Sequence, residues 1–268
     1  MLDGLVIAPK SKLSLAERDT TSVPGLSLKK SDAGAALAER TEQLAVLQQR
    51  LFAEDGRALL VVLQGMDTSG KDGAIKNVFR GITPAAFQVT SFRAPADHEL
   101  AHDYLWRVHA VCPRRGHIGI FNRSHYEDVV AARVRGLLKT DRVKQRYRHI
   151  NDFERLLRDE GTTVVKVFLH ISKDEQRERL QARLDDPEKR WKFRVGDLDD
   201  RARWDEFSMA YEQAISATST ADAPWYVVPA DKKWLRDVVV AEIVVRALER
   251  MDPKLPPDDP ALEEIEIP

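Results

Sequence analysis

Apolar and polar positions along this chain fall into two kinds of run. ALLVVLQ (58–64), QVTSF (88–92), HIGIF (117–121), TVVKVFLHI (163–171) and PWYVVPA (224–230) are short apolar stretches. Runs of this length, apolar without strict alternation, predict strands covered on both faces, as in a parallel sheet. Between them lie helical patterns near 72–81, 97–111, 127–138, 141–160 and 174–184. A further helix is predicted over 31–54, where Leu37, Leu44, Leu47 and Leu51 recur at spacings of seven, three and four and form one stripe. Ser172, with Glu175 three residues on, is a capping box opening a helix at about 173. Strands separated by helical crossovers specify an α/β fold of three layers, a five-stranded parallel sheet between helices. Residues 1–30 mix Pro, Ser, Thr and Lys and read as an irregular arm, 31–251 as the folded domain, and the acidic, proline-rich 252–268 as a tail outside the core.

Composition narrows the class. The 268 residues are 43% hydrophobic and 32% charged, which is globular. Lys plus Arg (42) nearly cancels Asp plus Glu (43), so nothing in the net charge favours a nucleic-acid partner. Cys112 is the only cysteine, which excludes an intrachain disulfide or a cysteine zinc cluster. The first residues lack a signal pattern. ALLVVL and VVVAEIVV fall short of the ~20 residues of a membrane span. The expectation is a cytoplasmic protein with no membrane partner.

The chemistry begins at GMDTSGKDG (65–73). Gly65, Gly70 and Lys71 have the GxxxxGK spacing of a phosphate-binding loop, between a predicted strand and a predicted helix. Glycines let backbone N–H groups converge on one anion, and the helix N-terminus adds partial positive charge. The expected phosphate contacts are Gly65, Ser69, Gly70, Lys71, Asp72 and Gly73, with Lys76 and Arg80 further along the helix. Such loops usually carry Ser or Thr after the lysine; Asp72 stands there instead. It reads equally as a first-turn acid favoured by the helix dipole or as a metal ligand. Asp67, inside the loop, has no structural excuse. It reads as a Mg²⁺ ligand or as the base that positions an acceptor.

FNRSHYED (121–128) is the second constellation. It ends a predicted strand, and in doubly wound sheets ligands lie at the carboxyl ends of strands. Walker-type sites usually close this strand with a metal-binding Asp; Asn122 takes its place, and Glu127 and Asp128 follow as candidate catalytic acids and metal ligands. Arg123 suits a phosphate clamp, catalytic or nucleotide-binding. His125, beside Tyr126, reads first as a hydrogen-bonded structural residue and only second as catalytic.

Arg133 to Arg148 holds seven basic residues against Asp141 alone. This is either a solvated helix face or a track for a long anion; Arg133 and Arg135 are the candidate contacts. About 173–208, after the fourth strand, has the position and charge of a kinase lid, with Arg183 reaching the transferred group, although a solvent-exposed hairpin has the same pattern. Arg93, after the second strand, is placed to meet an acceptor's phosphate.

These motifs, with RWKFRVGDLDDRARWDEF (190–207) and APWYVVPADKKW (223–234), resemble the polyphosphate kinase 2 family over roughly 30–250. The resemblance implies a P-loop kinase fold with a lid, in which Mg²⁺ and inorganic polyphosphate serve to interconvert nucleoside mono-, di- and triphosphates. Many members carry Asp at the position of Asn122. Asn122 followed by Glu127 is similar to the subgroup that acts on both mono- and diphosphates, which implies adenine nucleotides as acceptors, with guanine nucleotides as further candidates. It also shifts the expected metal binding towards Asp67, Glu127 and Asp128. A homo-oligomer is expected. Residues alone leave an ATP-dependent kinase similar to thymidylate kinase, and an inert nucleotide-binding regulator, as alternatives.

Overall fold

The first strand lies where the sequence predicts only an irregular arm. In the computed structural model, which describes residues 2–257, 259 and 260, β1 (Val6–Ile7) pairs antiparallel with a strand more than two hundred residues away. Leu2, Leu5, Ile7, Leu13, Leu15 and Val23 are all buried. These apolar residues, scattered among Pro, Ser and Lys without a period, carry no local signal. They anchor the arm by packing, so it is part of the domain rather than an appendage.

The chain then continues through α1 (Ala33–Glu54), β2 (Ala58–Gly65), α2 (Lys71–Val78), β3 (Phe87–Ser91), α3 (Asp97–Leu100), α4 (Trp106–His109) and β4 (Ile118–Asn122). The second half holds α5 (Ala131–Val134), α6 (Thr140–Asp159), β5 (Thr162–His170), α7 (Lys173–Asp185), α8 (Gly196–Ala202), α9 (Trp204–Thr218), β6 (Trp225–Pro229) and α10 (Lys233–Met251). The sheet has six strands in the order β1-β6-β5-β2-β4-β3, parallel except for β1. The five predicted strands are therefore all present, and the sheet exceeds the expected five by the edge strand from the arm.

β2 is buried along its whole length, which is why it reads as an unbroken apolar run. α2 and α10 cover one face of the sheet; α6 and α9 cover the other. Three described helices, α8, α9 and α10, lie where no helical pattern is predicted; the apolar length of α10 hides its period, and 14 of its 19 residues are buried. The predicted helix over 97–111 is two short helices, α3 and α4. That over 127–138 is a 3-10 turn (His125–Asp128) followed by α5. The leucine stripe of α1 packs on α10 of the same chain, where Arg40 also meets Glu242 at 2.6 Å. The capping box at Ser172 is half formed. Its Oγ accepts from Glu175 N (3.1 Å), but the Glu175 carboxylate turns to Arg179, and Ser172 N donates to Asp231 instead. At the start of the predicted tail, Lys254 N donates to Glu54 (3.1 Å) and Pro253 is buried, so this part stays on the domain. Residues 258 and 261–268 of that tail lie outside the described residues. No described helix is long and apolar enough to cross a membrane.

Register sets up the site. Leu63 pairs with Asn122, Ser91 pairs with Asn122, and Gly65 pairs with Leu169. The carboxyl ends of four strands thus finish level, and the loop between β2 and α2, the 3-10 turn and the segment from Arg183 to Asp197 meet above them.

Candidate active site

The loop between β2 and α2 wraps the N-terminus of α2, with Gly70 as its left-handed cap (φ 96°). Thr68 is also left-handed (φ 64°), a costly conformation for a β-branched residue, and its buried Oγ1 makes no hydrogen bond. Strain of this kind persists only where surrounding contacts over-determine it. Lys71 folds back on the loop: its Nζ donates to Gly65 O (2.7 Å) and Met66 O (3.2 Å) and lies 3.4 Å from Ser69 Oγ. Burial, with Arg123 nearby, lowers its pKa to about 8 against the pull of Asp67, Glu127 and Asp72.

Across the sheet, Arg123 is left-handed as well (φ 63°), and its N–H is held by Leu63 O (3.0 Å). This backbone turn aims the guanidinium at the loop, where Nη2 meets Asp67 Oδ1 at 2.6 Å. The Asp67–Arg123 pair is the meeting point of two hollows, since both residues line each of them. The larger, of 520 Å³, runs from Thr68, Gly70, Lys71 and Gly73 to Ser91, Arg93 and Asn122 and is roofed by Arg183, Lys189, Trp191, Lys192 and Arg194. Seven cationic side chains against three acids make it a cleft for anions. The smaller hollow is walled by Met66, Glu127 and the aromatics Trp204, Phe207 and Tyr211. Burial raises the pKa of Glu127, which Arg123 and Lys71 only partly oppose.

The structure thus brings together Asp67, Lys71, Arg93, Asn122, Arg123, Glu127, Arg135 and Arg183 of the expected residues. Others depart from expectation. Asp128 turns to Arg107 (3.5 Å) and lines neither hollow, because the 3-10 turn points consecutive side chains in different directions. Ser69 is fully buried under the loop. Lys76 on α2 and Arg80 just beyond its end are exposed and line neither hollow. Arg133 is engaged by Gln213, and Arg135 by Asp200 at 2.8 Å, so part of the basic stretch is tied to neighbouring helices. Asp72 is exposed, lines the larger hollow beside Asn122 and accepts from Asn122 Nδ2 at 2.6 Å. His125 is fully buried with its ring against Phe153 and Tyr126 and its Nε2 3.4 Å from Glu154; it lines neither hollow.

Sequence reasoning missed Phe207, Tyr211 and Gln176. Gln176 donates to Asp67 O at 3.2 Å. Trp204, Phe207 and Tyr211 sit at helical spacing on α9, a visible stripe, but nothing local says which stripe faces the site.

A divalent cation fits this donor set in one way. Among the described residues no three His, Cys, Asp or Glu side chains converge on one point. Asp67, within the loop that would hold phosphates, and Glu127, however, line the same hollow. Mg²⁺ suits such a site, because it takes one or two carboxylates and completes its shell with phosphate oxygens and water.

The free enzyme's titration is testable. The Lys71 ammonium is the form that would hold a phosphate, and it is lost as pH rises through about 8. The free-enzyme parameter kcat/KM for an anionic substrate should therefore fall above that pH. A profile flat from about pH 7 to 9 would remove Lys71 from the binding step.

A family model described as Polyphosphate kinase 2 (PPK2) matches residues 27–256. An AMP/ADP-polyphosphate phosphotransferase of Meiothermus ruber is 51% identical over 261 residues, covering 97% of this chain and 98% of that protein. An ADP-polyphosphate phosphotransferase of Rhodopseudomonas palustris is 44% identical over 237 residues, or 84% of this chain and 82% of that protein. The crystal structure of a polyphosphate kinase 2 from Arthrobacter aurescens superposes with a TM-score of 0.94 at 45% identity, covering 98% of this chain and 94% of that one.

Proposed function

The chain belongs to the polyphosphate kinase 2 family, and we propose that it transfers phosphoryl groups from inorganic polyphosphate to AMP and ADP, with guanine nucleotides as further acceptors. The observation that carries this reading is the Asp67–Arg123 pair, which stands between the phosphate loop's cationic cleft and the hollow at Glu127. Two anionic substrates must meet in such a reaction, and their phosphates must approach at one point.

In this reading the terminal phosphates of polyphosphate lie on the loop amides and Lys71. Arg123 and Arg93 hold the acceptor's phosphates, and Arg183 comes down from the lid. Asp67 orients the attacking oxygen of the acceptor. A new bond forms between that oxygen and the terminal phosphorus, the bridging bond to the chain breaks, and polyphosphate leaves one unit shorter. Phosphoryl transfer needs little covalent help from the protein, so positioning and charge carry the rate. Mg²⁺, held by Asp67 and Glu127, supplies charge neutralisation on the phosphates when bound. An ATP-dependent kinase would be expected to keep Ser or Thr in place of Asp72, which here is occupied with Asn122.

Purified protein with Mg²⁺ and polyphosphate should convert AMP to ADP and ADP to ATP, with GMP and GDP run in parallel. Product from ATP and a nucleoside monophosphate, with none from polyphosphate and any nucleotide, would favour the ATP-dependent alternative.

A further inference from the structure

One side of the phosphate loop looks into the cleft. The other rests on two buried arginines, Arg179 of α7 at 9% exposure and Arg236 of α10 at 2%. Neither lines the cleft, although Thr68, Gly70 and Gly73 do. Arg179 Nη1 donates to Thr68 O (2.8 Å), while Nη2 donates to Ala230 O (2.6 Å) and Asp231 O (2.9 Å). Its Nε is held by Glu175 at 2.6 Å. One guanidinium thus ties the left-handed residue of the loop to the end of β6. With the Thr68 carbonyl pinned outward, the peptides that follow are held in the orientation the loop requires.

Arg236 presses on the loop further along. A Cβ built on Gly70 would fall inside the radius of its Nη1, and one on Gly73 would lie 3.1 Å from Nη2. Glycine at position 70 is therefore demanded from behind by a braced cation as well as by its left-handed φ, and a side chain at position 73 would press on the same guanidinium. Asp237 braces Arg236 (2.8 Å to Nε, 2.6 Å to Nη2), and its other oxygen accepts from Asn77 of α2 at 2.8 Å. A buried ionic group is costly unless fully braced. Holding two of them against three loop residues needs a reason beyond packing.

We propose that Arg179 and Arg236 are positioning residues for the phosphoryl donor. From behind the loop they fix the peptides of Thr68 to Gly73 and place positive charge beneath the donor's phosphates, without touching the donor. This rests on the reading of the cleft as the polyphosphate site. The test uses R236M, R236K and R179K in the full chain, with KM for polyphosphate, KM for ADP and kcat, and with amide hydrogen exchange of the peptide spanning 66–73. R236M should raise KM for polyphosphate about tenfold and leave KM for ADP within about twofold. R236K, which keeps the charge and loses the fork, should fall between R236M and the natural protein for polyphosphate alone. R179K should speed exchange in 66–73 and leave β5 unchanged. Should R236M not fold, R236K and R179K carry the same comparison. Equal shifts in both KM values, or natural KM and natural loop exchange in the variants, would overturn the proposal. Failure of the unmutated protein to use polyphosphate overturns the donor reading instead, and the exchange measurement, which needs no substrate, then decides the loop-positioning role by itself.

Discussion

Lys71→Ala should cut the rate of ATP formation from polyphosphate and ADP by on the order of 10²–10³-fold, the scale seen when one preorganised charge or donor is removed from a developing anion. The fold should survive. Lys71 is 8% exposed, and its ammonium is held only by carbonyls of its own loop and the Ser69 hydroxyl. A buried cation with no direct carboxylate partner is a cost to folding, so deleting it relieves desolvation at the same time as it removes hydrogen bonds. Initial rates at saturating ADP, beside a thermal melt of both proteins, separate the two effects. Natural turnover in the variant would remove the loop from the mechanism. A collapse of the melt would mean that the lysine is structural.

The second large effect lies in the core. Lys166 of β5 is fully buried and sits 2.5 Å from Glu154 of α6, with its Nζ also donating to Thr218 O at 2.6 Å. Glu154 in turn accepts from Tyr126 Oη at 2.8 Å. Burial acts to raise the pKa of Glu154, but Lys166 and the adjacent His125 outweigh it and hold the carboxyl below its usual value. Lys166→Met leaves that carboxylate buried without its cation, which should cost ~3–5 kcal/mol. Against a typical total of about 5–15 kcal/mol this is severe. Urea unfolding at constant pH measures it. The double variant K166M/E154L removes both charges and should recover much of the loss, since a buried pair replaced by apolar residues is often near neutral. A double variant as unstable as the single would show that the stability came from packing, not from the ion pair. The sign with pH follows from the depressed carboxyl: the contribution of Glu154 is present above its unfolded-state pKa and is lost as pH falls through the lower folded one.

This network also reaches the candidate site, because Tyr126 stands between Arg123 and Glu127 in the chain. Its anchoring to Glu154 holds the 3-10 turn that carries Glu127 and closely follows Arg123, and both residues line the smaller hollow. A core charge therefore supports site geometry from beneath, as Arg179 and Arg236 support the loop from behind.

Much of the fold was legible before any coordinate. Each strand after the arm except β3 is a short buried apolar run, whereas β3, at the sheet edge, has no buried residue; the GxxxxGK spacing names its own loop, because strand burial and anion binding by a helix N-terminus are both written within about ten residues. The limits of legibility are equally specific. β1 went unseen because a two-residue strand has no period. α10 went unseen because burial on nearly every side erases the polar stripe. Asp128 and Glu127 look interchangeable in sequence, yet one faces Arg107 and the other the hollow by Asp67, since a 3-10 turn separates neighbours by about 120°.

What the sequence by itself determined is the parallel α/β core, the GxxxxGK loop at the end of β2, and Asp67, Lys71, Arg123 and Glu127 as candidates, which the fold brings together. Tertiary structure alone decided which charges are partners: Asp67 with Arg123, Lys166 with Glu154, and Arg236 with the glycines of the loop. The first group follows from residue periodicity and local backbone chemistry. The second depends on side chains far apart in the chain being packed to within a few ångström, and no local pattern encodes that distance.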